Sequence, residues 1–103
     1  MTAPRIGVSW HFSAAHRAIE GGEMHGHTWE VRAWAWASRD LDAVEFQGRL
    51  RALLEERFDH RTLPVYLSRG EDIAAAIMAE LECLGVEVAR PREGIWARVG
   101  VCG

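Results

Sequence analysis

The sequence is short of cysteine and has no long apolar run. Cys83 and Cys102 are its two cysteines among 103 residues, which argues against a disulfide framework as the main source of stability. The N-terminal residues lack the charged and then apolar pattern of a secretory signal, so we expect a reducing, cytoplasmic location. The longest nearly apolar run, around Trp34, is far shorter than the roughly 20 residues of a membrane-spanning helix. We therefore expect a soluble protein with no membrane partner.

An excess of charge of one sign is also lacking. The 12 basic and 15 acidic residues are interspersed and give a net charge of −3. No basic stripe is available to attract a phosphate backbone, so we expect no nucleic-acid partner.

The length and the apolar content indicate one small domain that assembles with copies of itself. We expect residues 1–103 to form a single domain, since no Pro-, Gly- or Ser-rich stretch is long enough to be a linker. Hydrophobic residues make up 49% of the chain and include five Trp, a surplus that often ends in subunit contacts. We expect Trp29, Trp34 and Trp36 to be buried at such an interface rather than to line a pocket.

The hydrophobic periodicity predicts the order ββααββ. Residues 5–13 alternate between apolar and polar, and residues 27–37 are rich in Thr, Val and Trp, so both segments are predicted strands. Residues 86–90 and 95–101 are predicted as two further strands, joined by a turn containing Pro91 and Gly94. Strands separated by a pair of helices are typical of an α+β fold, an antiparallel sheet with both helices on one face.

Helical spacing and capping residues define the two predicted helices. The first covers about residues 41–57 and begins at Asp40 or Asp42. The second begins at the capping-box pattern of Ser68 and Glu71 and ends before Gly85.

Three histidines are the clearest candidates for chemistry. His25 and His27 lie two residues apart, which places both side chains on one face of an extended segment, and His16 ends the first predicted strand. If the first two strands form a hairpin, three imidazoles meet and leave a fourth tetrahedral position open, as in catalytic zinc sites. The alternative is three hydrogen-bonded histidines with no ion, and spacing alone leaves both interpretations open.

Three motifs together resemble the 6-pyruvoyltetrahydropterin synthases and the related 6-carboxytetrahydropterin synthases. They are FSAAH at residues 12–16, HGHTWEV at 25–31 and FDHRTL at 58–63. The resemblance implies the tunnelling fold, in which ββααββ subunits form trimers that usually pair into hexamers. It also implies a Zn²⁺ ion on His16, His25 and His27, acting as Lewis acid and template for a dihydropterin substrate near a subunit interface.

The resemblance assigns further roles to polar residues. Asp59 and His60 match the proton-relay pair of the family, in which a carboxylate orients an imidazole; the alternative is a pair that caps a turn. Glu71 is a candidate substrate-binding residue, although a capping role would explain it without any substrate.

The expected nucleophilic Cys is absent, since Gly21 stands in its place four residues before His25. A sub-branch of the family uses Glu within a Glu-aliphatic-His-Gly-His element, which residues 23–27 match. Glu23 is therefore the candidate base, and enzymes of this kind cleave the side chain of dihydroneopterin triphosphate to leave a 6-hydroxymethyl group. A solvated loop Glu is the alternative.

In the family that this sequence resembles, a glutamate after the third strand anchors the pterin, and that glutamate is absent here as well. Ungapped alignment places Arg90 at that position, and an Arg presents only donors to a group that needs an acceptor. Either Glu93 reaches back from the turn or the substrate is not a pterin. The sequence thus predicts a zinc-dependent lyase acting on 7,8-dihydroneopterin triphosphate or a related compound. A zinc enzyme for another anionic substrate and an inactive oligomeric binding protein remain as alternatives.

Overall fold

The computed structural model describes residues 3–17 and 21–103. Within them, two strands are followed by two α-helices and two more strands, which confirms the predicted ββααββ order. The elements are β1 (Arg5–His16), β2 (His25–Trp36), α1 (Ala43–Arg57), α2 (Gly70–Leu81), β3 (Gly85–Arg90) and β4 (Ile95–Gly100). Short 3₁₀ turns at Val65–Leu67 and Pro91–Glu93 precede α2 and β4.

The four strands form one antiparallel sheet in the order β1-β2-β3-β4. The β1-β2 hairpin is long, running from the pair Arg5 and Trp36 to the pair His16 and His25. The shorter β3 pairs with β2 from Glu30 to Trp34 only. The end of the hairpin that carries the histidines therefore extends past the point where β3 ends.

Side chains alternate between the two faces of the sheet, and both helices cover one face. On β1, residues in even positions are buried or half-buried, as the sequence pattern predicts. Phe12 stacks on Trp29, with ring centroids 5.1 Å apart, and both are almost fully buried. Burial of aromatic rings of this size is a main contribution to the stability of a small core. Trp29 is therefore buried in its own subunit, and the expectation that it lies at a subunit interface is wrong.

The start of α1 matches the second of its two predicted caps. Asp42 is the N-cap, and its side chain accepts a hydrogen bond of 2.8 Å from the backbone N–H of Glu45. The helix begins at Ala43 and ends at Arg57. Its buried residues, Phe46, Leu50 and Leu54, pack on the sheet.

The capping box predicted for α2 is wrong. Arg69 is the N-cap and forms no side-chain capping bond. The hydroxyl of Ser68 instead donates to the carbonyl of Val65, 2.7 Å away. The helix ends at Leu81, before Gly85 as predicted. Gly85 is the first residue of β3, and a Cβ atom there would clash with the backbone of Val101.

Neither helix in the described ranges has the length and hydropathy that crossing a bilayer requires.

Candidate metal centre

The register of the β1-β2 hairpin brings three imidazoles together at its end. His16 and His25 are direct partners across the two strands, and His27 follows two residues later on the same face as His25. The three ring centroids lie 4.7 to 4.9 Å from one another. One potential ligand atom from each ring lies within 4.8 Å of the other two. The structure therefore supports the predicted cluster of His16, His25 and His27.

Backbone carbonyls orient two of these rings. The Nδ1 atom of His16 lies 2.7 Å from the carbonyl oxygen of Ser68, and that of His25 lies 3.1 Å from the carbonyl oxygen of Glu23. Because a carbonyl only accepts, each Nδ1 carries the proton and donates it. The lone pair of each ring is therefore on Nε2.

Two charged side chains hold the third ring. The carboxylate of Glu93 lies 3.3 Å from Nδ1 of His27. Arg90 donates a hydrogen bond of 2.8 Å to Nε2 of the same ring. A carboxylate behind a histidine fixes its tautomer and raises its basicity, as in many zinc sites. All three histidines thus share one tautomer, with the proton on Nδ1 and the lone pair on Nε2.

Burial favours the neutral form of two of the rings. It is the largest cause of the lowered pKa of His16, which the carbonyl of Ser68 opposes to a smaller extent. The pKa of His27 is also lowered, first by burial and then by the positive charge of Arg90. A neutral imidazole is the form that binds a metal, so lowered pKa values favour ligation near neutral pH.

The chemistry of this donor set fits a zinc ion. His16 is 5% exposed, and its buried Nε2 has no hydrogen-bond partner within the described residues. A buried polar atom without a partner is unfavourable, and a metal ion would satisfy it. Three neutral imidazole ligands with one open position are the donor set of catalytic zinc sites.

A cavity of about 200 Å³ lies beside the histidine cluster. His16 and Trp29 form part of one wall, while Gly70 and Glu71 of α2 and Arg90 of β3 form others. The rings of Trp29 and His16 meet edge to face, with centroids 5.2 Å apart. Trp29 therefore lines a pocket, whereas the sequence favoured burial at an interface.

Asp59 and His60 lie along the side of β1 that faces away from β2. Asp59 accepts a hydrogen bond of 2.9 Å from the backbone N–H of Ser13, and its other carboxylate oxygen lies 2.9 Å from Nδ1 of His60. The Ser13 N–H is the main cause of the lowered pKa of Asp59, and His60 contributes further. The side chain of His60 is 85% exposed and does not belong to the converging histidine cluster. The structure thus supports the contact within the pair but does not place the pair in the cluster of His16, His25 and His27.

The two remaining glutamates have different surroundings. Glu23 is exposed, and its backbone carbonyl rather than its carboxylate contacts the site, through His25. Glu71 lines the cavity from the first turn of α2, and its carboxylate lies 3.8 Å from Arg69.

Two backbone groups at the site were not found from the sequence. They are the carbonyl of Ser68, which orients His16, and the N–H of Ser13, which holds Asp59. Backbone groups carry no residue-specific signal, so only the tertiary structure identifies them.

Solved structures of similar fold include two named enzymes. The 6-pyruvoyl tetrahydropterin synthase of Caenorhabditis elegans is 14% identical with a TM-score of 0.65, over 99% of both chains. That of Plasmodium falciparum is 15% identical with a TM-score of 0.68, over 98% of this chain and all of the other. An uncharacterised protein of Wolinella succinogenes is 13% identical with a TM-score of 0.70, over 97% of this chain and 99% of the other. These neighbours confirm the tunnelling fold of the subunit.

Sequence comparison assigns the family. No curated protein matches the chain, but the family model described as 6-pyruvoyl tetrahydropterin synthase matches residues 5–93. This match covers the histidine cluster, Asp59 and His60, and Arg90 and Glu93. The chain belongs to the 6-pyruvoyl tetrahydropterin synthase family.

Proposed function

We propose that this protein is a zinc-dependent lyase that acts on 7,8-dihydroneopterin triphosphate or a related compound. The observation that carries the proposal is the convergence of His16, His25 and His27, each with an acceptor at Nδ1 and a lone pair on Nε2. Membership of the family supports the lyase class. The reaction is cleavage of the side chain or elimination of the triphosphate, driven by proton transfer.

The bound zinc would polarise substrate oxygens and hold the substrate in place. His60 is the residue proposed to transfer protons. Its Nδ1 lies 2.9 Å from the carboxylate of Asp59, which leaves Nε2 free to exchange protons with a substrate. The backbone of His60 adopts a left-handed conformation with φ of 57°, held by a hydrogen bond of 2.7 Å from its N–H to the carbonyl of Ser13. Glu23 is the proposed second base, in place of the missing cysteine.

The protein is proposed to work as a homo-oligomer, a trimer or a hexamer. In the described ranges β1 and β4 are the two edges of the sheet. On β4, the side chains of Ile95 and Trp96 are 47% and 64% exposed, which suits burial against another subunit. Because His60 is exposed in the single subunit, assembly would give it the opportunity to act at a site completed by a neighbour.

The test combines metal analysis with product detection. Purified protein is analysed for zinc and then incubated with dihydroneopterin triphosphate, and products are separated and identified by mass. We expect stoichiometric zinc and a cleaved pterin. His60→Ala should abolish turnover and leave zinc content and oligomer size unchanged, whereas His11→Ala, at an exposed position on β1, should leave all three unchanged. Stoichiometric zinc with intact substrate would contradict this choice of substrate.

The position of Arg90 favours a second candidate function, that of a zinc enzyme of the same fold that acts on a non-pterin anion. Arg90 stands at the position of the pterin anchor and contributes to the cavity wall. A donor-only side chain there suits a carboxylate or a phosphate better than an aminopyrimidine.

A further inference from the structure

The cavity beside the histidine cluster is lined by Arg90, whose guanidinium group has no acidic partner among the described residues. We propose that Arg90 binds an oxyanion of the substrate, a carboxylate or a phosphate, in this cavity while the metal holds the neighbouring part of the same molecule. This inference rests on the proposed function, because the metal supplies the second point of attachment. It specifies which chemical group of the substrate enters the cavity.

The charges around the cavity favour an anion. Arg69 and Arg90 are its two basic lining residues. Arg69 is already paired, since Asp72 lies 3.1 Å away and Glu71 lies 3.8 Å away. Arg90 forms no ion pair within residues 3–17 and 21–103, and Nε2 of His27, to which it donates, is an uncharged acceptor because a guanidinium can only donate. The positive charge of Arg90 is therefore available to a ligand.

The cavity offers few hydrogen-bond acceptors to a substrate group that needs one. Glu93, the residue that would have to reach back to anchor a pterin, contacts Nδ1 of His27 instead and does not line the cavity. Glu71 does line it, but its side chain is 65% exposed and pairs with Arg69. The N-terminal end of α2, at Gly70, adds backbone N–H groups and a partial positive charge to the same wall. His16 is another residue of this wall, and its buried Nε2, which has no hydrogen-bond partner within the described residues, is left for the metal.

Arg90 and a metal ion compete for the same lone pair. Nδ1 of His27 carries the proton, so Nε2 has the only lone pair of the ring, and Arg90 donates to it. A metal bound to Nε2 excludes that hydrogen bond and leaves the guanidinium without its partner at the cavity wall. Metal loading and binding of the oxyanion are thus coupled through Arg90, and removal of Arg90 should strengthen metal binding.

The test measures anion binding and zinc affinity separately. The full-length, zinc-loaded protein is titrated by calorimetry with inorganic phosphate, with pyruvate as a carboxylate, and with 6-hydroxymethylpterin as an uncharged pterin. Variants are Arg90→Gln, Arg90→Lys, which keeps the charge, and the nearby control Arg92→Gln. Zinc affinity of each protein is measured by competition with a chelating dye.

We expect phosphate or pyruvate to bind more tightly than the pterin, and the preferred anion identifies the source of the oxyanion. Arg90→Gln should weaken anion binding about 10- to 100-fold, as loss of a hydrogen bond to a charged group predicts. Arg90→Lys should recover part of it, and Arg92→Gln should change it little. Zinc should bind about tenfold more tightly to Arg90→Gln than to the unmodified protein.

Two results would overturn the inference while leaving the proposed function standing. One is anion binding that is equal in Arg90→Gln and the unmodified protein; the other is preferential binding of the pterin that depends on Arg90. In both cases zinc content and turnover that requires His60 would persist. Failure to take up zinc would overturn the proposed function and this inference together.

Discussion

Replacement of His25 by Ala offers the cleanest test of the metal centre. His25 is exposed, and its described side-chain hydrogen bond goes to the backbone carbonyl of Glu23. Its loss should therefore change the stability of the metal-free protein by only about 0.5 kcal/mol. His16 is less suitable, because it is buried and its loss would leave the carbonyl of Ser68 without a partner.

The expected magnitude follows from linkage between binding and folding. Zinc at about 100 times its dissociation constant stabilises the folded state by about 2.7 kcal/mol. For a domain of roughly 100 residues, 1 kcal/mol raises the melting temperature by about 4–8 °C, so zinc should raise it by about 11–22 °C. If the loss of one ligand weakens binding about 100-fold, the stabilisation falls to about 0.4 kcal/mol and the shift to about 2–3 °C.

Differential scanning calorimetry with and without zinc measures these shifts. His11→Ala is the matched control, because His11 is an exposed histidine of β1 outside the cluster. It should keep the full shift. The reasoning would be refuted by an unmodified protein that zinc does not stabilise, by His25→Ala with an undiminished shift, or by equal losses in the two variants.

Three further predictions concern the surroundings of the site and the fold. Glu93→Gln should weaken zinc binding about 10- to 100-fold, measured by dye competition, because His27 loses the carboxylate that orients it; unchanged affinity would remove that role. Asp59→Asn should lower the free energy of unfolding by about 1 kcal/mol at neutral pH. The pKa of Asp59 is lowered mainly by a backbone N–H of β1, so its contribution is present above the ordinary carboxyl pKa and fades as pH falls through the lowered folded value. Urea unfolding at neutral and acid pH should show the gap between the two proteins closing; a gap that widens in acid would contradict this account. Gly85→Ala should cost about 1–3 kcal/mol because the new methyl group meets backbone of the C-terminal segment. By contrast, Gly48→Ala in α1 adds a methyl group in open space and should stabilise by about 1 kcal/mol in the same urea experiment.

Much of the fold could be predicted from the sequence because its signals are local. Alternation in β1 and helical spacing in α1 depend on neighbouring residues, and the structure has both elements close to their predicted ranges. The start of α2 was mispredicted for a physical reason. Ser68 has the residue type of a helix cap, but its hydroxyl completes the preceding 3₁₀ turn and its carbonyl is bonded to His16. Competition of this kind between local and distant partners is not visible in a sequence pattern.

The candidate site, too, could be predicted from the sequence only in part. Residue type and spacing singled out His16, His25 and His27 because imidazoles two residues apart share a face of a strand, and a hairpin supplies the third. Tertiary structure decided which acceptor fixes each ring. It placed Glu93 behind His27 and Arg90 on the lone pair of the same ring.

The sequence by itself determined the order of strands and helices, the histidine cluster and the resemblance to the family. Each of these depends on residue types at short and regular spacing. The three-dimensional arrangement alone decided that Glu93 contacts Nδ1 of His27 while Arg90 lines the cavity. Arg90 ends β3 and Glu93 lies three residues later in the following 3₁₀ turn. Their separate roles depend on distances to β2, which folding establishes and spacing along the chain does not encode.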